Sequence, residues 1–254
     1  MIYALLSAFM AIVIKVPYRH GYWNYPPIVQ YKSPLNAKTI NTNQNIKHML
    51  YDIYQTQTFA LNNRDIPFTI GGDHTISIGS VYASNDYCRQ HKKSLGVLWF
   101  DSCTDFHTKN TYSTIDRMSV AILCGHTMKQ FAIGKDLLDT EQFAYFATSD
   151  IDRQEQYRLD SFNMTKCETS TSIFDWIDNF DYIHLSFDAK CITDDANITY
   201  YNTICYLNIL ETLSKSKKLM AVDYVGYDSN ITHPNVDAQN MILDAISNLC
   251  NVCT

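Results

Sequence analysis

The sequence predicts an α/β fold built on a mostly parallel central sheet. Two observations carry this. Short apolar, β-rich runs alternate along the chain with longer segments of helical period. Several of those runs end in Gly or Asp, and the carboxyl ends of strands are where open parallel sheets place their ligands.

In chain order, the apolar run at 11–16 reads as the first strand and 45–60 as the first helix. A strand at 67–71 runs into Gly71-Gly72 and is followed by a helix at 76–92. Strands at 96–101, 143–148 and 182–188 come next; the first and last of these end in Asp101 and Asp188. A helix at 199–214, a strand at 218–225 and a helix at 236–249 complete the pattern, with His233-Pro234 as the start signal of the last helix. Only 8 Gly and 6 Pro accompany 18 Tyr, so turn signals are sparse and loops are hard to place. The length of 254 residues fits one domain, 1–254.

Composition narrows the function. Lys+Arg 20 against Asp+Glu 26 gives a net charge of -6, with no clustered cations for counterion release, which argues against nucleic acid or an anionic membrane as partner. A 46% hydrophobic, 18% charged chain is globular and not disordered. The first residues, MIYALLSAFMAIVIKV, are too short an apolar run to span a bilayer and lack the basic flank and cleavage site of a signal peptide; a helical lead-in to the first strand is the economical reading. Eight singly scattered cysteines indicate reduced thiols and a cytoplasmic location. Cys250 and Cys253 form a terminal C-x-x-C that reads as a helix end carrying two small apolar side chains.

Three strand ends carry the chemistry: Gly71-Gly72-Asp73-His74, Asp101-Ser102-Cys103-Thr104-Asp105 and Ser186-Phe187-Asp188-Ala189-Lys190. Singly, each is modest, since a histidine in a turn or a capping aspartate is ordinary. Together they bring one imidazole and several carboxylates to one crevice, a donor set that suits manganese or another hard divalent ion. On the residues alone, a metal site and a buried hydrogen-bond network both remain open.

These segments resemble the ureohydrolases, the family of arginase, agmatinase and formimidoylglutamase. Its G-G-D-H-S, D-A-H-x-D and S-F-D-x-D motifs are matched in order by GGDHT at 71–75, DSCTD at 101–105 and SFDAK at 186–190, with ATSDID at 147–152 in the place of a further strand and turn. The likeness runs from Pro67 onward, in a chain shorter than typical members. It implies a three-layer α/β/α fold and a site built for two manganese ions. The first ion would take His74, Asp101, Asp105 and Asp188. The second would need a histidine and an aspartate where this chain has Cys103 and Lys190. Lys190 then either replaces the lost cation, neutralising Asp101 and Asp188, or swings out to solvent.

Further departures follow from the same resemblance. The proton-shuttling histidine falls at Asp116, with His107 and His126 nearby; the guanidinium-binding glutamate falls at Gly226, two residues before Asp228; and a late aspartate falls at Thr193. Asp105, Asp116 and His107 are the remaining candidates for a catalytic role. The expectation is a catalytically inactive pseudoenzyme holding one Mn2+ or other divalent ion, with the second metal absent and a binding or structural role. The alternative is a single-metal hydrolase with residual activity on linear amidines, and a sensor of a small amine is a third reading. Expected partners are a small guanidino or amine ligand and a protein, most simply further copies of the chain in a homo-oligomer. The stretch Tyr18–Tyr25 reads as a contact surface or a cover over the crevice.

Overall fold

In a computed structural model of the chain, the described residues are 12–19, 22–30, 32, 36–42, 45–108, 114–191, 196–227 and 235–252. They form β1 (Ile12–Val16), β2 (Tyr18–Arg19), β3 (Tyr22–Trp23), α1 (Pro26–Gln30), β4 (Ala37–Thr39), α2 (Ile46–Asn62), β5 (Pro67–Gly71), α3 (Thr75–Gln90) and β6 (Leu95–Phe100). These are followed by α4 (Ser119–Leu123), β7 (Phe143–Phe146), α5 (Arg153–Ser161), β8 (Thr165–Cys167), α6 (Ser170–Ile177), β9 (Tyr182–Asp188), α7 (Ala196–Ser216), β10 (Leu219–Val225) and α8 (Asn235–Val252).

Eight strands make one sheet in the order β4-β1-β5-β10-β9-β6-β7-β8, with every neighbouring pair parallel. Parallel strands need helical crossovers, and these cover both faces. Strands β5, β6 and β10 are accordingly buried along their whole length. On one face α2, α3, α4 and α5 pack through residues such as Met49, Ile53, Ile76, Tyr82 and Leu159 against Val97, Trp99 and Tyr145. On the other, α6, α7 and α8 pack through Ile173, Leu210 and Ile246 against Leu98, Leu185 and Val222. The period-2 alternation of the strands divides their side chains between these two cores. The result is the expected three-layer α/β/α fold.

Each predicted element is present; the strands at 67–71 and 182–188 match to the residue and the others have shifted ends. The strand expected to reach Thr148 stops at Phe146, because Ala147 adopts a left-handed φ of +66° that ends the ladder. The helix expected at 45–60 is capped by the Asn45 side chain, which accepts from the His48 N–H at 3.0 Å, and runs on to Asn62. The start signal His233-Pro234, the segment 1–11 and Cys253 lie outside the described residues. Among the described residues no helix is long and apolar enough to cross a membrane, and Cys88, Cys103, Cys124, Cys167, Cys191 and Cys205 are free thiols.

Candidate metal centre

Strands β5, β10, β9 and β6 are consecutive neighbours in the middle of the sheet, so their carboxyl ends open on one crevice. His74 follows β5 at the start of α3. The Gly71-Gly72 turn brings it there, and Gly72 is needed because a Cβ would lie 2.6 Å from the Tyr18 carbonyl oxygen. The Asp73 carboxylate accepts from the Thr75 N–H at 2.9 Å, and Ser119 donates to the His74 carbonyl at 2.9 Å, which fixes the turn. The His74 ring packs on Trp99 at a tilt of 30°, with centroids 4.2 Å apart.

Asp101 and Asp105 lie on the loop after β6. The Ser102 carbonyl of that loop accepts from the Ser149 and Asp150 N–H groups at 2.9 and 2.8 Å. Asp105 is held at φ +49°, and its carbonyl accepts from Val120 N–H at 3.1 Å. A left-handed non-glycine residue costs free energy, and such strain concentrates at functional sites. Asp188 closes β9.

The four side chains converge. His74 Nδ1 lies 2.8 Å from Asp105 Oδ2, 3.2 Å from Asp101 Oδ2 and 3.9 Å from Asp188 Oδ2, with every partner at most 3% exposed. The buried Asp105 Oδ2 and Asp188 Oδ2 have no well-directed hydrogen bond despite this proximity. Buried carboxylate oxygens with no well-directed donor, gathered on one imidazole nitrogen, are the donor set of a hard divalent cation, so these residues fit one such ion.

Without an ion, the crowding is visible in the proton affinities. Burial lowers the His74 pKa, but bonds and charge from Asp101 and Asp105 outweigh it and push it up to about 10. Burial and the Asp101 charge push Asp105 up to about 7, and burial with the same charge raises Asp188. Burial works against the Asp101 carboxylate as well, but His74 holds it down at about 2.

Cys103 is fully buried between the acids and donates its thiol to Asp101 Oδ2 (3.2 Å) and Asp105 Oδ1 (3.3 Å). Burial, then the charges of Asp105 and Asp101, push its pKa far above the ordinary thiol range, so it is a neutral donor and not a thiolate ligand. Lys190 Nζ pairs with Asp188 Oδ2 at 3.3 Å, while its side chain stays 42% exposed. Burial disfavours its charge, but Asp188, Asp101 and Asp105 outweigh that and raise its pKa. The ammonium therefore faces the cluster from its rim: it is neither out in solvent nor at the centre of the acids.

The other candidates are more dispersed. Asp116 is buried at the head of a short 3-10 turn, Asp116–Met118, leading into α4. His107 joins a second cluster with Asp152 and Glu155 at the start of α5. His126 packs on Phe106 and Phe162, and burial lowers its pKa. Gly226, after β10, has φ +72°, and a Cβ there would lie 2.5 Å from Asp188 Oδ1, so the backbone itself refuses a side chain at that position. Thr193 and Asp228 lie outside the described residues. Of Tyr18–Tyr25, Arg19 donates to the Tyr25 hydroxyl at 2.6 Å, while residues 20–21 are not described. A cleft of about 660 Å³ opens beside the cluster, lined in part by Ser102, Thr148, Lys190, Cys191 and Tyr206.

Asp152 and Glu155 escaped the sequence reading, which placed 147–152 in a strand and turn. The D-x-x-E spacing is a capping-box signal that marks this helix start, and the structure forms that box.

Comparison with known proteins gives a consistent picture. A model of the arginase family matches residues 24–197. An arginase of Staphylococcus aureus is 24% identical over 206 residues, covering 72% of this chain and 67% of that protein. An arginase of Entamoeba histolytica is 25% identical over 241 residues, covering 85% and 78%. The solved Entamoeba histolytica arginase in complex with L-ornithine superimposes with a TM-score of 0.77 at 20% identity over 95% of this chain and 98% of that one. Bacillus subtilis arginase does so with a TM-score of 0.75 at 17% identity over 96% and 98%.

Proposed function

The chain belongs to the arginase family, and on that premise we propose that it is a catalytically inactive member, keeping the family fold and one metal position for a binding or structural role. The observation that carries this is the pair Cys103 and Lys190, a neutral thiol bonded to Asp101 and Asp105 and an ammonium paired with Asp188 at the rim. A protonated lysine cannot ligate a metal, and a thiol whose pKa is raised by burial and then by neighbouring carboxylates resists the deprotonation that ligation requires. A second ion is thereby disfavoured.

His74, Asp101, Asp105 and Asp188 would hold one Mn2+ or similar ion. When bound, such an ion acidifies water and polarises an electrophile. Around it, the chain's own residues offer little for turnover of a guanidinium. Gly226 supplies no carboxylate to orient a cationic substrate. Lys190 places a positive charge at the rim, where it would repel one. Losing single preorganised groups of this kind typically costs about 10²–10³ in rate.

A second reading, a single-metal hydrolase with residual activity on linear amidines, is favoured by one observation, the 660 Å³ cleft beside the cluster. A urea-release assay on arginine and agmatine with manganese-loaded protein separates the two. We expect no release above the metal-only blank; release that disappears in His74→Ala would establish the hydrolase instead.

A further inference from the structure

We propose a second divalent-metal site, held by His107, Asp152 and Glu155 and suited to a borderline ion such as Zn2+ or Co2+. It is separate from the His74 cluster and does not depend on that cluster holding any ion. His107 lies two residues beyond Asp105, yet its ring faces the start of α5, with Nε2 3.4 Å from Asp152 Oδ2 and 3.5 Å from Glu155 Oε2. The donor atoms of all three residues lie within 4.8 Å of one another.

The separations discriminate between two kinds of contact. A charge-assisted N–H···O bond is about 2.7–2.9 Å long, and both contacts exceed that. Around a tetrahedral ion with bonds of about 2.0–2.2 Å, neighbouring donors stand roughly 3.3–3.6 Å apart, and both contacts fall in that interval.

Each carboxylate also divides its work. Asp152 Oδ1 accepts from the Gln154 and Glu155 N–H groups at 2.8 and 2.9 Å, and Glu155 Oε1 accepts from the Thr104 hydroxyl and N–H at 2.7 and 3.1 Å. Their other oxygens face the imidazole, and Glu155 Oε2 also receives a long 3.4 Å contact from the Asp152 N–H. Ligands held this way by outer partners are preoriented for a metal. Arg158 donates to the Phe106 carbonyl and, at 3.1 Å, to Thr108 Oγ1, pinning the loop that carries His107 against α5.

Access and selectivity follow. His107 and Glu155 are 1% exposed, whereas the Asp152 side chain is 50% exposed, so one side admits an ion and water can complete its shell. A set of one imidazole and two carboxylates binds Zn2+ more tightly than Mn2+ by the usual divalent order.

The test is calorimetric titration of metal-free, full-length protein with Zn2+, repeated with Co2+ to read ligand-field absorption. In the His74→Ala background we expect one remaining equivalent of Zn2+, lost with His107→Ala and weakened at least about tenfold by Asp152→Asn. Asp152→Asn is on a half-exposed side chain and keeps the capping oxygen, so in the otherwise unaltered protein it should weaken one equivalent to the same degree without lowering the melting temperature of the metal-free form. Unchanged Zn2+ binding in both the His107 and the Asp152 variants would overturn the proposal, as would a His74→Ala protein that folds and binds no Zn2+.

Discussion

Replacing Lys190 by methionine keeps the aliphatic stem and removes only the ammonium, and its effect on the metal-free protein can be sized from the pair it breaks. Lys190 Nζ lies 3.3 Å from an Asp188 carboxylate that is 1% exposed, while the lysine is 42% exposed. Breaking a buried pair costs about 3–5 kcal/mol and an exposed one about 0–1. With one partner buried and the other nearly half exposed, about 1–3 kcal/mol is expected. For a chain of this size that is a fall in melting temperature of roughly 3–10 °C. Metal affinity should move the other way. A unit charge and a divalent ion roughly 5 Å apart repel by about 7 kcal/mol at an effective dielectric near 20, and solvent at the half-exposed rim screens most of this. Discounted for solvent to about 1 kcal/mol, its removal should tighten Mn2+ binding roughly fivefold. Differential scanning calorimetry on the metal-free variant and a Mn2+ titration read the two effects. If melting is unchanged, Lys190 does not neutralise the cluster; if Mn2+ binds more weakly, the ammonium is not competing with the ion.

Mn2+ at a hundredfold excess over its dissociation constant should stabilise the protein by about 2.7 kcal/mol, seen as a rise in melting temperature that a chelator reverses and His74→Ala abolishes. Gly226→Glu, the substitution that would restore a carboxylate to this position, should not create activity. It should instead destabilise by at least about 1–2 kcal/mol, since φ is +72° and the new Cβ would press on Asp188; denaturant midpoints measure this, and an unperturbed midpoint would show that the turn relaxes. In the interior, His184 Nε2 lies 3.1 Å from Asp223 Oδ2, and Ser84 Oγ lies 2.8 Å from His184 Nδ1, all buried. His184→Leu leaves Asp223 with the Ser80 hydroxyl as its remaining donor and should cost about 1–3 kcal/mol; a loss under about 0.5 kcal/mol in denaturant unfolding would mean that the network is not needed.

What was legible in the sequence follows from what each segment must do. The central strands β5, β6 and β9 are buried on both faces and read as apolar runs ending in Gly or Asp, so the convergence of His74, Asp101, Asp105 and Asp188 was locatable before any contact was known. The edge was not: β4 is three exposed residues, Ala37–Thr39, and β8 is the short Thr165–Cys167, neither with an apolar run to mark it. Helix α5 buries only Glu155 and Leu159, so it lacks a helical apolar stripe. The cluster at His107 joins residues some 45 positions apart, a juxtaposition that depends on how the loop after β6 meets α5. The side-chain-free turn at Gly226 emerges only once Asp188 is placed against it.

The most direct test of the central claim is the electron paramagnetic resonance spectrum of the manganese-saturated protein. The account predicts the hyperfine pattern of isolated Mn2+, reduced by one equivalent in His74→Ala, and an exchange-coupled pair only after Cys103→His and Lys190→Asp are combined. An exchange-coupled spectrum from the unaltered chain would mean that Cys103 and Lys190 do not prevent a binuclear centre, and would contradict the account.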